Sequence, residues 1–267
     1  MTTDYSGSGD PARSLPLLWR DTRPPTRGPR PGLSVDRVVA AAIELADAEG
    51  LAALSMRRVA DRLGVGTMSL YTYVPAKAEL LDLMLDTVLA EEARSDGATG
   101  DWRAGLELRA REDWALFHRH PWILQITPSR SLLGPNETDL FEATLRVVDG
   151  IGLSGTEMVL VVNLVADYTR GAADTAVGAA QAERRTGISD EEWWKAREPL
   201  FDKYFDPDRF PTVTRVAAAG AFDQPSRDGQ YTVAWAHESF EFGLRRLLDG
   251  IEAFVAARAA EPEPDGA

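Results

Sequence analysis

Between Ser55 and Lys77 the sequence gathers hydrogen-bonding side chains at close spacing: Ser55, Arg57, Arg58, Thr67, Ser69, Tyr71, Thr72, Tyr73 and Lys77. Arginine offers a planar fork of donors, lysine a point charge, and hydroxyls both donate and accept. Such a set suits the recognition of phosphate oxygens and base edges, whereas breaking bonds would need other groups. Those groups are scarce. Cysteine is absent, which removes thiolate metal sites and a Cys nucleophile, and only His118, His120 and His237 remain for general-base or metal chemistry. No glutamate stands three residues before a histidine, so the paired Glu-x-x-His motifs of a helical di-iron enzyme are missing. A Gly-x-Ser-x-Gly elbow and a P-loop are missing too, and no strand-borne dinucleotide fingerprint is expected. The reading is of a non-enzyme without cofactor or metal.

These side chains need elements that aim them. Ser34 is a good N-cap, and Val35, Val38, Val39, Ala42 and Ala46 repeat at helical spacing up to Gly50. Ser55 can cap a second, short helix with Met56, Val59, Ala60 and Leu63 inward. Gly64-Val65-Gly66 stops it, and a third helix runs from Thr67 to Val74 until Pro75 forbids its continuation. Two short helices joined by a tight glycine turn form a helix-turn-helix layout, whose second helix enters the major groove. Arg57 and Arg58 lie in the opening turn of the first, where backbone amides also favour a phosphate. Thr67, Met68, Ser69 and Thr72 are short or flexible enough to approach bases, while Leu70 and Val74, four apart, form the buried side.

The strings Leu54-Ser55-Met56-Arg57-Arg58-Val59-Ala60, Leu63-Gly64-Val65 and Leu70-Tyr71-Thr72-Tyr73-Val74, followed by Lys77 and Leu80-Leu81, closely resemble the DNA-binding region of TetR-type transcriptional repressors. The match covers residues 34–90, about one fifth of the chain. It implies DNA contacts from Ser55 and Arg57, with Arg57 able to reach a guanine edge. By the same likeness Thr67, Met68, Ser69 and Thr72 face bases or nearby backbone, and Tyr71, Tyr73 and Lys77 hold phosphates. Gly66 stands where most members have a Ser-like cap, and Tyr73 where many have His or Phe, so the operator sequence does not transfer.

The resemblance also implies a second, ligand-sensing and dimerising helical domain. The expected division is a flexible Pro/Arg arm at 1–33, a DNA-binding domain at 34–80 whose next helix links on to about 94, a sensing and dimerising domain at 91–260, and a disordered tail at 261–267. In the arm, Leu15-Pro16-Leu17-Leu18-Trp19 is an apolar patch that docks on the protein's own body or on a partner, and Arg23, Arg27 and Arg30 read as linker or as a minor-groove arm. Beyond residue 90 the periodicity stays helical, so the fold class is all-α.

Met158 to Ala166 is apolar all round and reads as a buried helix, with Asn163 and Asp167 needing polar partners. Trp114, Phe117, His118 and Trp122, with Tyr168, make an aromatic set that could line a pocket for a flat apolar inducer, with Asn163 or His118 orienting a polar group; single aromatics at this spacing are more often plain core. Near the C-terminus Phe240, Gly243, Leu247, Ile251 and Phe254 step by three and four beside a stripe of Leu244, Leu248 and Val255. One stripe is expected to face the chain's own core and the other a second subunit.

Charge fits this division. The whole chain carries −13, yet residues 1–77 hold 10 Lys+Arg against 8 Asp+Glu, a net of +2, and residues 78–267 hold 19 against 34, a net of −15. A mildly basic head on an acidic body is compatible with a DNA partner. With 44% hydrophobic and 27% charged residues, no run of about 20 apolar residues and no secretory signal, the expectation is a cytoplasmic, membrane-free homodimer that binds double-stranded operator DNA and is released by a small inducer. The competing readings are a helical adaptor whose helix-turn-helix binds protein and, behind it, a helical-bundle enzyme.

Overall fold

The computed structural model describes residues 4–21, 33–91, 100–127, 130–222 and 231–260. Helices make almost all of it, as the periodicity predicts. The one sheet among the described residues is a pair of two-residue parallel strands, β1 (Asp4–Tyr5) and β2 (Ile126–Thr127). The chain forms two compact units, Met1–Arg170 with Leu248–Ala267, and Gly171–Leu247.

In the first unit, α1 (Pro11–Leu18) is a helix within the segment expected to be a flexible arm. Proline at the first helical position costs nothing, since that N–H has no intrahelical partner anyway. Asp10 caps the helix by accepting from the Ala12 amide at 3.0 Å, and Leu17 and Leu18 are buried. The helix ends in a paired closing turn, Asp21 N–H to Pro16 O at 2.9 Å and Arg20 N–H to Leu17 O at 3.3 Å, with Arg20 rather than glycine at φ 54°. Its guanidinium holds Asp36 at 2.7 Å. Arg23, Arg27, Arg30 and the tail 261–267 lie outside the described residues.

Helix α2 (Val35–Glu49) is capped by Ser34, which accepts from the Arg37 amide at 3.2 Å, and buries Val38, Val39, Ala42, Leu45 and Ala46. It packs on α3 (Met56–Leu63) and on α5 (Lys77–Leu89), and α3 packs on the short α4 (Thr67–Tyr71). Helix α5 is the most buried of these and carries Glu79, Asp82 and Asp86 inside. α1 packs against it, the Gly7 amide donates to Asp82 Oδ1 at 2.9 Å, and a side chain at Gly9 would collide with Ser14.

Burial pushes the Asp82 carboxyl above the ordinary carboxylate value, Glu79 on its own helix and Glu137 from α7 (Pro135–Val147) push it the same way, and the Gly7 amide and Ser14 oppose. A raised folded-state value means that the group's stabilising contribution is complete below the unfolded value near 3.9 and is lost as pH rises through the folded one. Asp82→Asn keeps an acceptor for Gly7 and removes the charge. It should therefore melt higher than wild type at pH 7, with the difference vanishing toward pH 4. A thermal melt series in which the variant gains nothing as pH rises would refute this.

Further on lie α6 (Trp102–Arg119), a 3-10 turn at Pro121–Gln125, α7, and the first half of α8 (Gly155–Thr186). Gly150-Ile151-Gly152-Leu153-Ser154-Gly155 has the glycine spacing of a dinucleotide fingerprint, yet it joins α7 to α8. A phosphate-binding fingerprint needs a strand to feed it, and here a helix does. Ser154 and Glu157 instead cap α8: the Ser154 amide and hydroxyl, with Arg258, hold the Glu157 carboxyl down at about 2.

Two expectations need correction. Helix α8 is not buried all round: Val161, Val162 and Val165 face inward, whereas Leu160 and Leu164 are 61% and 48% exposed. In α11 (Tyr231–Ala260) the buried line is Ala236, Phe240, Leu244, Leu248 and Ile251, so Phe240 and Ile251 pack in their own chain and are not free for a partner. Both sequence stripes step by three and four, and the helix rotates its inner face across the two of them. Gly243 and Leu247 flank that face half-buried, and Phe254 is exposed.

The second unit holds the rest of α8 and α11 with α9 (Asp190–Phe201) and α10 (Pro211–Ala218). Ser189 and Glu192 cap α9 reciprocally. Neither α9 nor α10 buries a residue, and Trp193, Trp194, Phe201, Tyr204 and Phe242 are exposed. No described helix is long and apolar enough to cross a membrane.

Candidate functional site

The geometry around α3 and α4 follows from three local choices. Ser55 accepts from the Arg58 amide at 3.3 Å and starts α3. Gly64, at φ 67°, closes it with Val65 N–H to Ala60 O at 3.0 Å, a left-handed turn that a Cβ would strain. Leu70 and Val74 are fully buried and fix how α4 sits on the head. Helix α4 is shorter than the sequence suggests, ending at Tyr71, and the chain turns through Tyr73 N–H and Val74 N–H, both donating to Leu70 O.

With that face inward, the other is presented outward. Met68 is 78% exposed, Tyr71 and Thr72 are exposed, and Thr67, Ser69, Tyr73 and Lys77 are half-exposed. Gly66 starts α4 without a side-chain cap, as its residue type requires. The adjacent arginines of α3 differ sharply. Arg57 is 85% exposed with only a loose 3.9 Å approach to Asp61, whereas Arg58 donates to both carboxylate oxygens of Glu49 at 2.7 Å. Arg57 can leave for another acceptor at little cost, while Arg58 would first have to abandon a two-pronged ion pair. Arg62 is likewise held by Glu44 at 2.9 Å.

The aromatic candidates are dispersed. Trp122 is buried and donates from Nε1 to Asp47 Oδ1 at 2.7 Å; His120 Nδ1 meets the same oxygen at 2.7 Å. This network ties α2 to the 3-10 turn and leaves Trp122 no face for a ligand. Phe117 is buried beneath the guanidinium of Arg170, which also donates to Ile126 O at 2.7 Å. His118 is exposed and lies tilted against the half-buried Trp114, its Nδ1 against Trp114 O. Asp167 is exposed and Tyr168 half-buried. Trp193 and Trp194 lie in the second unit and contact each other edge to face.

A cavity of about 170 Å³ opens elsewhere in the first unit, between α6, α7 and α8. Leu106, Arg109 and Asp113 supply one wall, Leu140, Phe141 and Thr144 another, and Val162 and Asn163 the third. Asn163 alone of the candidate aromatic and polar set reaches it. The nearly buried Arg109 holds Asp113 at 2.8 Å and Glu112 at 3.3 Å, so the cavity carries fixed charge in an apolar wall. Residues i, i+3 and i+7 of α6 face the cavity, and an arginine and an aspartate within an otherwise apolar line were the available signal. Among the described residues no group of His, Asp and Glu is arranged to hold a metal ion.

Comparison with known proteins covers both regions. A profile described as "Bacterial regulatory proteins, tetR family" matches residues 38–84, and one described as "Tetracyclin repressor-like, C-terminal domain" matches residues 95–255. The HTH-type transcriptional repressor DrrR1 of Streptomyces coeruleorubidus is 47% identical over 264 residues, 98% of this chain and 93% of that one. The tetracycline repressor protein class E of Escherichia coli is 26% identical over 88% of this chain and 98% of its own length. Among solved structures, the Streptomyces coelicolor protein ActR in complex with actinorhodin superposes with a TM-score of 0.64 at 29% identity, covering 86% of this chain and 99% of that one. Apo ActR gives 0.63 at 26% identity over 84% and 97%.

Proposed function

Since the chain belongs to the tetR family of bacterial regulatory proteins and is a helix-turn-helix transcriptional regulator, we propose that it is a cytoplasmic repressor that binds a palindromic operator as a homodimer through Arg57, Thr67, Met68, Ser69, Tyr71, Thr72, Tyr73 and Lys77. In this reading residues 34–80 form the DNA-binding domain and residues 91–260 sense and dimerise. The observation that carries the DNA contacts is the opposed register of α4: Leu70 and Val74 are fully buried, which turns Met68 and Thr72 outward, beside an uncommitted Arg57.

For the dimer, support comes from exposed apolar faces on the long helices. Leu160 and Leu164 stand out from α8 and Phe254 from α11 in the first unit, and Phe242 from α11 in the second. For sensing, the support is the α6–α7–α8 cavity together with ActR, a relative of the same fold solved with a small molecule bound. Asn163 and the Arg109–Asp113 pair are the polar groups we assign to orienting a ligand there. Release requires that the ligand favour a dimer geometry in which the two recognition helices no longer match successive major grooves.

Selection of bound duplexes from a random pool tests the reading. Two recognition helices related by a two-fold axis should recover an inverted repeat, bound with an affinity that falls steeply as salt rises. Recovery of an asymmetric site bound by one chain, or of no DNA at all, would defeat it.

A further inference from the structure

Helix α5 follows directly from the head, with Lys77 at its first turn, and its far end is gripped by α7. The buried Asp86 carboxylate accepts from the Glu137 backbone amide at 3.0 Å and from Asn136 Nδ2 at 2.9 Å, so it closes the N-terminus of α7 as a capping residue supplied by another helix. The fit is tight: a Cβ on Gly134 would stand 2.2 Å from Asp86 Oδ1. One turn further along, Leu140, Phe141 and Thr144 of α7 line the cavity.

A second connection reaches the same place. Segment 4–21 forms a strap over α5 that is anchored on the residues leading into α7. β1 pairs with β2, Ser6 Oγ donates to Arg130 O at 2.9 Å, and Trp19 Nε1 donates to Leu133 O at 2.9 Å. Midway the Gly7 amide holds Asp82 of α5, and at its end Arg20 holds Asp36 of α2. Head, α5 and the start of α7 are thus joined by directional bonds on two sides.

We infer that Asp86 and the N-terminal strap form a latch that makes α5 move with the N-terminus of α7, so that whatever shifts α7 at the cavity shifts the DNA-binding head. A movement of α7 away from α5 would strip a buried carboxylate of its donors on α7, a costly state, whereas joint movement keeps them. Asp86 is a positioning residue in this scheme and touches neither DNA nor ligand. The inference rests on the regulator reading above.

Hydrogen–deuterium exchange on the full-length protein, free and bound to the duplex recovered by selection, tests it. Coupled sites respond to each other, so DNA should slow exchange at Glu137 and Gly7 by roughly fivefold or more, although neither is assigned to DNA. In Asp86→Leu, which offers neither donor an acceptor, the slowing at Glu137 should fall below about twofold while that at residues 55–77 persists. Asn136→Ala, half-buried in the first turn of α7, removes one bond without altering Asp86 and should give an intermediate response, which decides the matter if the first variant unfolds. Full slowing at Glu137 in both variants, or none there in wild type despite protection of 55–77, overturns the latch alone. No protection of 55–77 in wild type overturns the regulator reading and the latch with it.

Discussion

If the chain dimerises as proposed, replacing both Leu160 and Leu164 with arginine is expected to yield monomers and to weaken operator binding by roughly a hundredfold or more, the usual scale of the advantage that two linked sites hold over one. The two leucines lie four apart on one exposed face of α8, and burying each against a partner contributes on the order of 1.5–3 kcal/mol. Arginine in their place would leave an unpaired charge within the proposed interface, counted twice because a two-fold arrangement uses the same patch on both chains. Since both positions are exposed within the chain, circular dichroism and melting should change little. Sedimentation equilibrium reads the mass, and a double variant that remains dimeric would remove this face of α8 from the interface. Monomers that bind the full operator as tightly as wild type would remove the dimer from the recognition scheme.

Why α8 and not the apolar stripe of α11 carries this prediction shows where the sequence is legible. Ser34, Ser55 and Gly64 mark ends of α2 and α3 through local hydrogen bonding and backbone geometry, which act within a few residues and can be read in order along the chain, whereas α4 stops at Tyr71, before Pro75 could end it. The inner faces of α2 and α3 were legible for the same reason. On α11 two apolar lines offered themselves, and only packing decides that Phe240 and Ile251 join Leu244 and Leu248 inside. The strap was hidden by its prolines: Pro11 begins a helix as readily as it breaks one, and what folds Leu17 and Leu18 down is the apolar surface of α5, some sixty residues away. The cavity was hidden differently. Its most telling residues, Arg109 and Asp113, read as an ordinary surface ion pair at i, i+4, and the more conspicuous aromatic residues, Phe117 and Trp122, satisfy a cation and a carboxylate in the core.

The same distinction between committed and uncommitted side chains separates Arg57 from Arg58 on α3. Arg57→Ala should cost roughly 1–3 kcal/mol of operator affinity per half-site and relax the preference at one base position, because a guanidinium fork reads guanine through two donors at once. Its folded-state partner Asp61 lies 3.9 Å away and both side chains are well exposed, so stability should stay within about 0.5 kcal/mol of wild type. Arg57→Lys keeps the charge and loses the fork; it should retain most of the salt dependence while the base preference relaxes as in the alanine variant. Lys77→Ala sets the contrast, weakening all sequences about equally and lowering the salt slope by about one for each phosphate no longer neutralised. Arg58→Ala should behave in the opposite manner to Arg57→Ala, because its guanidinium spans α3 and the end of α2 through Glu49: the head loses stability, and base preference is untouched. Repeating the duplex selection with each variant separates these outcomes. If Arg57→Ala recovers the wild-type sequence at wild-type affinity, Arg57 reads no base, and discrimination belongs to the outward face of α4 alone.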